Sequence, residues 1–401
     1  ESLNSSSAMK YGFDARGGRV ARRRPIVRAL RLIAATTLLA GCAASDEIDV
    51  IRLGLAGPMK EPAGKGMYQG ALLAVEEINA RGGVRGRPIE LLVRDDEMNR
   101  GLAIEIAREF RDQTNVVAVI GHLNSGASIA ASHIYNEPGK GLVAISPGAT
   151  SPEMSQTGEW TFRVCPSDVQ QAAALAEWAY HDLGRRRALI IYLNDAYGRG
   201  VRDAFTPAFE RLGGKVLSAD PYLPDLIEND RTLDPYLERG IRNSMDALVI
   251  VGMGDEVPGI LRAARRLGFR GTVMGTDGLM GIEAAGAVAE GVVVSAGFLV
   301  DRPTDAARDF VERYQARFGE PPRDGSAHAY DTVMLLAHAI EQVGTDRKAV
   351  RDYVASIGNG APAFEGVTGT IRFDQNGDAV GKSVLIGVVR GGRVVSVGES
   401  H

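Results

Sequence analysis

Small hydroxyl and glycine residues gather at the ends of two short apolar runs. Ile120-Gly121-His122-Leu123-Asn124-Ser125-Gly126 closes one run, and Ser146-Pro147-Gly148-Ala149-Thr150 closes another. Both lead towards predicted helices, so hydroxyls and free backbone N–H groups would point into one cleft. Such a set holds an anion, a carboxylate for example, without any lysine or arginine. Ordinary strand-to-helix turn chemistry explains either loop alone equally well. Two such loops at matching strand ends favour a ligand site.

Other chemistry finds little support in the residues. Gly198-Arg199-Gly200 and Gly252-Met253-Gly254 lack the third glycine of a dinucleotide loop. Gly381-Lys382-Ser383 lacks the glycine that a phosphate loop would need at Asn376, and it falls in a predicted hairpin. There is no Gly-x-Ser-x-Gly elbow and no His-Glu-x-x-His pair. The six histidines (His122, His133, His181, His328, His338, His401) show no ligand spacing. Asp374-Gln375-Asn376-Gly377-Asp378 opens like a calcium loop, but its glycine is misplaced and no closing glutamate follows, so a turn is expected. The expectation is a protein with no catalytic residue, no metal and no cofactor.

The elements that position these loops alternate with good regularity. Strands are predicted at Val50–Ala56, Ile89–Val93, Val116–Ile120 and Leu142–Ile145, with helices at Gly70–Ala80, Gly101–Arg111 and Ser128–Tyr135 between them. The pattern resumes with helix Gln170–Leu183, strand Ala188–Tyr192, helix Val201–Leu212, strand Lys215–Ala219, helix Leu233–Arg242, strand Ala247–Val251, helix Pro258–Leu267 and strand Val273–Met274. Strands alternating with helices imply doubly wound parallel sheets, an α/β fold with two lobes and a cleft between them. The last third differs. Helices Asp305–Phe318, Ser326–Val343 and Lys348–Ile357 precede strands Thr370–Phe373, Ser383–Val389 and Arg393–Val397, and Asn376-Gly377 reads as a two-residue hairpin turn. This tail is expected to complete the two lobes, giving 48–166 plus 298–368 and 167–297 plus 369–401.

A length of 401 residues exceeds what one core usually holds, in keeping with two lobes. The net charge of −4 hides an asymmetry. Residues 1–41 carry eight of the 46 basic side chains and two of the 50 acidic ones, which leaves the remainder at a net −10. A body so acidic argues against binding nucleic acid. The basic charge belongs to what reads, from Met9, as an export signal: Arg16–Arg31 is basic and Leu30–Ala40 apolar, too short to span a bilayer. Glu1–Ala8 form an extension ahead of it, and Arg23-Arg24 faintly suggests the twin-arginine route. The segment ends in Leu39-Ala40-Gly41-Cys42, which resembles a bacterial lipobox and makes Cys42 the expected site of lipidation, with 42–49 a tether. Only Cys165 would then remain, so neither a disulfide nor a thiolate metal site is expected.

Several separated stretches resemble the Leu/Ile/Val-binding family of ABC importers, type I periplasmic binding proteins. They are GALLAVEEINARGGVRGRPIELLVRDDE (70–97), IGHLNSGASIAASHIYNEPGKGLVAISPGATSPEMS (120–155), IYLNDAYGRG (191–200), MGTDG (274–278), HAYDTVMLLAHAI (328–340) and GTIRFDQNGD (369–378). The likeness runs from about Ile51 to Val397. It implies that Ser125 and Thr150 hold a ligand's α-carboxylate, with Asn124, Gly148 and Ala149 beside them. It also implies that Tyr197 closes over the ligand from the second lobe and that Asp277 accepts the α-ammonium, a charge-assisted bond worth about 1.5–3 kcal/mol.

The expected protein is therefore an extracytoplasmic, lipid-anchored solute-binding protein that closes two lobes on an amino acid and delivers it to an importer's permease. Departures bear on the pocket. Near Ala63 and after Val251 the family has aromatic residues, whereas this chain has Met59-Lys60-Glu61-Pro62-Ala63-Gly64-Lys65 and Gly252-Met253-Gly254-Asp255-Glu256. Lys60 or Lys65 could meet an acidic side chain and Asp255 or Glu256 a basic one, or all four could be solvated loop charges. The same fold also serves in ligand-sensing receptors and amide-responsive regulators, and in binders of other small solutes such as aromatic acids.

Overall fold

The computed structural model describes residues 49–224, 231–253, 257–302 and 304–400. The first βα run consists of β1 (Ile51–Gly57), α1 (Pro62–Ala80), β2 (Ile89–Asp95), α2 (Arg100–Asp112), β3 (Val116–Gly121), α3 (Ser125–Tyr135), β4 (Val143–Ser146) and β5 (Thr161–Arg163). β3 is buried along its whole length and β1 nearly so, as parallel strands covered on both faces must be. The sheet order is β2-β1-β3-β4-β5, and every pair is parallel. With β1 between β2 and β3 the winding reverses, and a crevice opens at the carboxyl ends of those strands.

The second run repeats the scheme with α4 (Asp168–Glu177), β6 (Arg187–Leu193), α5 (Ala196–Arg211), β7 (Lys215–Tyr222), α6 (Asp234–Arg242), β8 (Ala247–Val251), α7 (Val257–Arg266), β9 (Thr272–Gly275) and β10 (Val293–Ala296). Three helices follow, α8 (Asp305–Phe318), α9 (Asp324–Val343) and α10 (Arg347–Ser356), then strands β11 (Phe364–Gly366), β12 (Gly369–Ile371), β13 (Val384–Arg390) and β14 (Arg393–Ser400). The second sheet runs β14-β13-β10-β9-β8-β6-β7. Its β10-β9-β8-β6-β7 part is parallel and repeats the winding of the first sheet, while β13 and β14 add on antiparallel at the edge. The tail thus serves both halves. Phe310, Tyr314, Leu336, Ile340 and Val350 share a core with Leu53, Leu55, Ile120 and Ile145 of the first sheet, and Leu385, Val389 and Val394 share one with Leu248 and Val273 of the second.

Helix starts differ from the sequence expectation in a consistent direction. α1 begins at Pro62 rather than Gly70, α3 at Ser125 rather than Ser128, α4 at Asp168 rather than Gln170 and α5 at Ala196 rather than Val201. Glycines in the first turns of α1, α3 and α5 depress helix propensity, and the apolar period only starts after them. In α1 the first-turn glycine is required by packing: a Cβ on Gly64 would lie 1.9 Å from the Pro58 carbonyl oxygen.

The Asn376-Gly377 expectation is also corrected. β12 pairs with β11, not with the strand after the turn. The two-residue hairpin is Gly391-Gly392 between β13 and β14, where φ values of 55° and 76° provide the left-handed pair such a turn needs. Asn376 and Gly377 lie instead in a turn closed by the Asp374 carboxylate, which accepts from the N–H groups of Asn376 (2.8 Å) and Asp378 (3.0 Å).

Candidate functional site

The two hydroxyl-rich loops are held against each other by buried polar bonds. Ser146 Oγ at the end of β4 donates to the His122 carbonyl beyond β3 (2.6 Å), and Ser128 Oγ donates to the same oxygen (2.9 Å). The fully buried His122 ring stands with Nδ1 2.6 Å from Asp96 Oδ2 and Nε2 3.3 Å from the Tyr135 hydroxyl. Its part is to fix the loop. Arg163, 1% exposed, donates Nη1 to the carbonyls of Ala149 (3.2 Å) and Ser151 (2.7 Å) and Nε to Asp378 Oδ1 (2.7 Å). The turn around Asn376 therefore anchors the loop that carries Thr150. Cys165 is buried beside it, and burial pushes its thiol well above the ordinary range.

Within this frame Asn124 stands at the N-cap position of α3 and Ser125 in its first turn. Asn124 makes no capping bond, and its Oδ1 is buried without a partner. Ser125 Oγ accepts from the Ser151 N–H (3.2 Å), which leaves its own proton to donate. Thr150 Oγ1 is buried and unpartnered. The amides of Gly148 and Ala149 turn away from a ligand, because both donate to Ser146 Oγ at 3.3 and 2.8 Å. Gly148 is there for closeness, since a Cβ on it would lie 2.7 Å from Leu123 Cδ1.

On the other side, Tyr197 lies in the first turn of α5 and Asp277 just after β9. The Tyr197 hydroxyl is 2.6 Å from Thr276 Oγ1 and accepts from the Gly278 N–H at 3.1 Å. Burial, then the charges of Asp277 and Asp168, raise its pKa well above the usual value. The Asp277 N–H donates to Gln171 Oε1 (3.2 Å), and the wholly enclosed Oδ1 has no partner although the residue as a whole is half-buried. Burial, then the neighbouring Asp324 charge, pushes the Asp277 carboxyl up to about 7.

The loop charges fall elsewhere. Lys60 Nζ pairs with Glu97 (2.5 Å) and Asp95 (3.4 Å), and Lys65 Nζ with Glu320 (2.8 Å), all in exposed ion pairs. Both lysines are thus already neutralised at the surface. Asp255, Glu256 and Cys42 lie outside the described residues. At Gly252 a Cβ would stand 2.0 Å from the Tyr222 hydroxyl, so the aromatic ring at that corner comes from the end of β7.

Asp168 was not anticipated. It opens α4, is fully buried, and neither carboxylate oxygen has a hydrogen-bond partner. Burial, opposed by the facing Thr150 hydroxyl and reinforced by the Asp277 charge, raises its pKa well above the usual carboxylate range. The signal for it was present: Ser167 and Gln170 form a capping box, whose Ser-x-x-Gln spacing marks a helix start at Asp168. Asp324 and His328 at the start of α9 complete the surroundings. Asp324 Oδ1 accepts from the Phe298 N–H (2.6 Å), and the buried His328 Nε2 has no partner.

The lobes meet around this set. A Cβ on Gly200 of α5 would lie 2.9 Å from Pro152 Cδ, and one on Gly281 2.6 Å from Arg323 Nη1. The Arg100 charge at the start of α2 acts on Asp195, the residue that caps α5. Polar groups that follow strands of both sheets therefore come together near the carboxyl ends of those strands, where open α/β sheets bind ligands. Among the described residues no helix is long and apolar enough to cross a membrane, and no group of three or more His, Cys, Asp or Glu could hold a metal ion.

The chain is similar to known solute-binding proteins. A family model described as periplasmic binding protein matches residues 51–393. An amino acid binding protein of Pseudomonas aeruginosa is 28% identical over 310 residues, 75% of this chain and 80% of that protein. The ABC transporter substrate-binding protein of Desulfitobacterium hafniense, solved in complex with Leu, is 32% identical with a TM-score of 0.76, covering 86% of this chain and 99% of that one. A leucine binding protein of Thermotoga maritima is 29% identical with a TM-score of 0.79, covering 87% and 98%. From Ile51 to Arg393 the chain belongs to the periplasmic binding protein family, with the type I fold that its two similarly wound sheets require.

Proposed function

We propose that this protein is the extracytoplasmic solute-binding component of an ABC importer and that it closes on an amino acid. The hydroxyls of Ser125 and Thr150, at the N-terminus of α3 and the end of β4, receive the α-carboxylate. Asp277 receives the α-ammonium, and Tyr197 forms the wall of the opposite lobe. The observation that carries the reading is the set of buried polar atoms lacking partners, Asn124 Oδ1, Thr150 Oγ1, Asp168 Oδ1 and Oδ2, and Asp277 Oδ1, drawn from strand ends of both sheets. Buried polar groups are normally satisfied, and a zwitterion supplies the complement. The moving bodies are 48–166 with 298–368 and 167–297 with 369–401. No covalent step occurs; ligand contacts to both bodies shift the population towards the closed form that the permease recognises. Cys42 supplies a lipid anchor, and its partners are the permease and the membrane it is tied to.

The test is to unfold and refold the protein from Ala43 onward, which strips bound solute, and to screen amino acids by thermal shift. A ligand at about 100 times its dissociation constant adds about 2.7 kcal/mol and raises the melting point. No shift with any amino acid would sink this reading.

A further inference from the structure

The cleft contains more acceptors than a hydrocarbon amino acid can satisfy. Its buried acceptors include Asn124 Oδ1, both oxygens of Asp168 and Asp277 Oδ1, with His328 Nε2 close by, set against the single hydroxyl of Thr150, which faces Asp168 and can serve only one of its oxygens. They sit at three separate places, beyond β3, at the start of α4 and beyond β9. The three hydrogens of one ammonium share a single nitrogen and reach one of those places together with its near neighbours. An aliphatic side chain offers nothing to the rest, and an acceptor left buried and unpaired weakens binding.

Asp168 is the sharpest case. Its backbone N–H donates to the Thr150 carbonyl at 2.8 Å, which places it beside the carboxylate-binding hydroxyl. Its carboxyl reaches towards α5, with Oδ2 2.4 Å from where a Cβ of Gly200 would stand. The glycine keeps that carboxyl clear, and no basic side chain approaches within bonding distance of it among the described residues. The nearest buried guanidinium, Arg163, is committed to Asp378 and to the carbonyls of Ala149 and Ser151.

We infer that Asp168 is a specificity-determining residue and that the solute is an amino acid whose side chain carries N–H or O–H donors, which Asp168 accepts. This deepens the importer reading and rests on it. Asp277 then serves the ammonium and Asp168 the side chain, so the protein discriminates between isosteres by hydrogen bonding rather than by size. A site built to receive donors rejects the analogue that lacks them far more strongly than a hydrophobic pocket rejects a polar isostere.

The experiment compares dissociation constants for isosteric pairs on the refolded, solute-free protein: threonine against valine, asparagine against leucine, ornithine against norleucine. The polar member of at least one pair is expected to bind tenfold or more tightly than its partner. Asp168→Leu should bring that ratio to within about twofold of one while the circular dichroism spectrum stays unchanged. Should Asp168→Leu not fold, Asp168→Asn serves instead, and loss of one acceptor oxygen should cut the ratio at least threefold. Valine, leucine and norleucine each binding as tightly as their polar isosteres would overturn the inference while leaving the importer reading in place, and so would a ratio unmoved by either variant. No binding of any amino acid would instead overturn the importer reading itself.

Discussion

The hydroxyl of Tyr197 in the first turn of α5 lies 2.6 Å from that of Thr276 beyond β9, and it also accepts the Gly278 N–H. Both bonds stay within the second sheet's own loops. The tyrosine that the family resemblance implies as a ligand clasp is therefore pinned by its hydroxyl and presents its ring. Tyr197→Phe keeps the ring and strips two buried groups of their partner, which costs about 1–3 kcal/mol. Chemical denaturation should show that loss, while amino-acid affinity stays within about threefold of wild type. A hundredfold loss of affinity at unchanged stability would mean that the hydroxyl meets the ligand instead.

α5 meets the first lobe at a point with no space to spare. A Cβ on Gly200 would stand 2.4 Å from Asp168 Oδ2 and 2.9 Å from Pro152 Cδ, nearer than carbon atoms tolerate. Gly200→Ala must push the Asp168 carboxyl aside and hold Pro152 off. Its affinity is expected to fall tenfold or more, and small-angle scattering with saturating ligand should give a larger radius of gyration than wild type. A variant as compact and as tight as wild type would show that the lobes close along another line.

The proposed membrane anchor rests on Leu39-Ala40-Gly41-Cys42 alone. In cells expressing the whole chain, Cys42→Ala is expected to move the protein from the membrane fraction to the soluble exported fraction. Membrane association that persists in the variant would remove lipidation from the account.

The division of the chain into two parallel sheets was legible in the sequence because buried strands such as Val116–Gly121 and Ala247–Val251 are short apolar runs bounded by turns. Asn124, Ser125, Thr150, Tyr197 and Asp277 were singled out by motifs in order, and the fold sets all of them just beyond carboxyl ends of strands. What the sequence hid is three-dimensional. That Ser146 takes the amides of Gly148 and Ala149 depends on a hydroxyl orientation that spacing does not encode. That Asp168 faces Thr150 depends on how the chain passes from β5 into α4. The salt bridges of Lys60 to Glu97 and of Lys65 to Glu320 join residues far apart in the chain, so a local reading left both lysines free.

Asp277 gives the strongest handle on mechanism, through pH. Burial and the Asp324 charge hold its proton up to about pH 7, whereas in the unfolded chain it leaves in the usual carboxylate range. Between those limits the folded protein binds the extra proton, so the stability of the unliganded form falls as pH rises through that window. Binding runs the other way. An ammonium requires the ionised carboxylate, so below about pH 7 each binding event must expel a proton, and affinity should weaken by about tenfold for each pH unit lost. Titration calorimetry at pH 6 in buffers of different ionisation enthalpy should report close to one proton released, and affinity should level off above pH 7.5. Asp277→Ala should bind amino acids at least a hundredfold more weakly, keep its fold, and show a shallower slope in its melting temperature between pH 4 and 7, the raised Asp168 carboxyl accounting for what remains. Affinity flat from pH 5 to 7 in the wild type, or undiminished in the variant, would show that the ammonium finds its charge partner elsewhere.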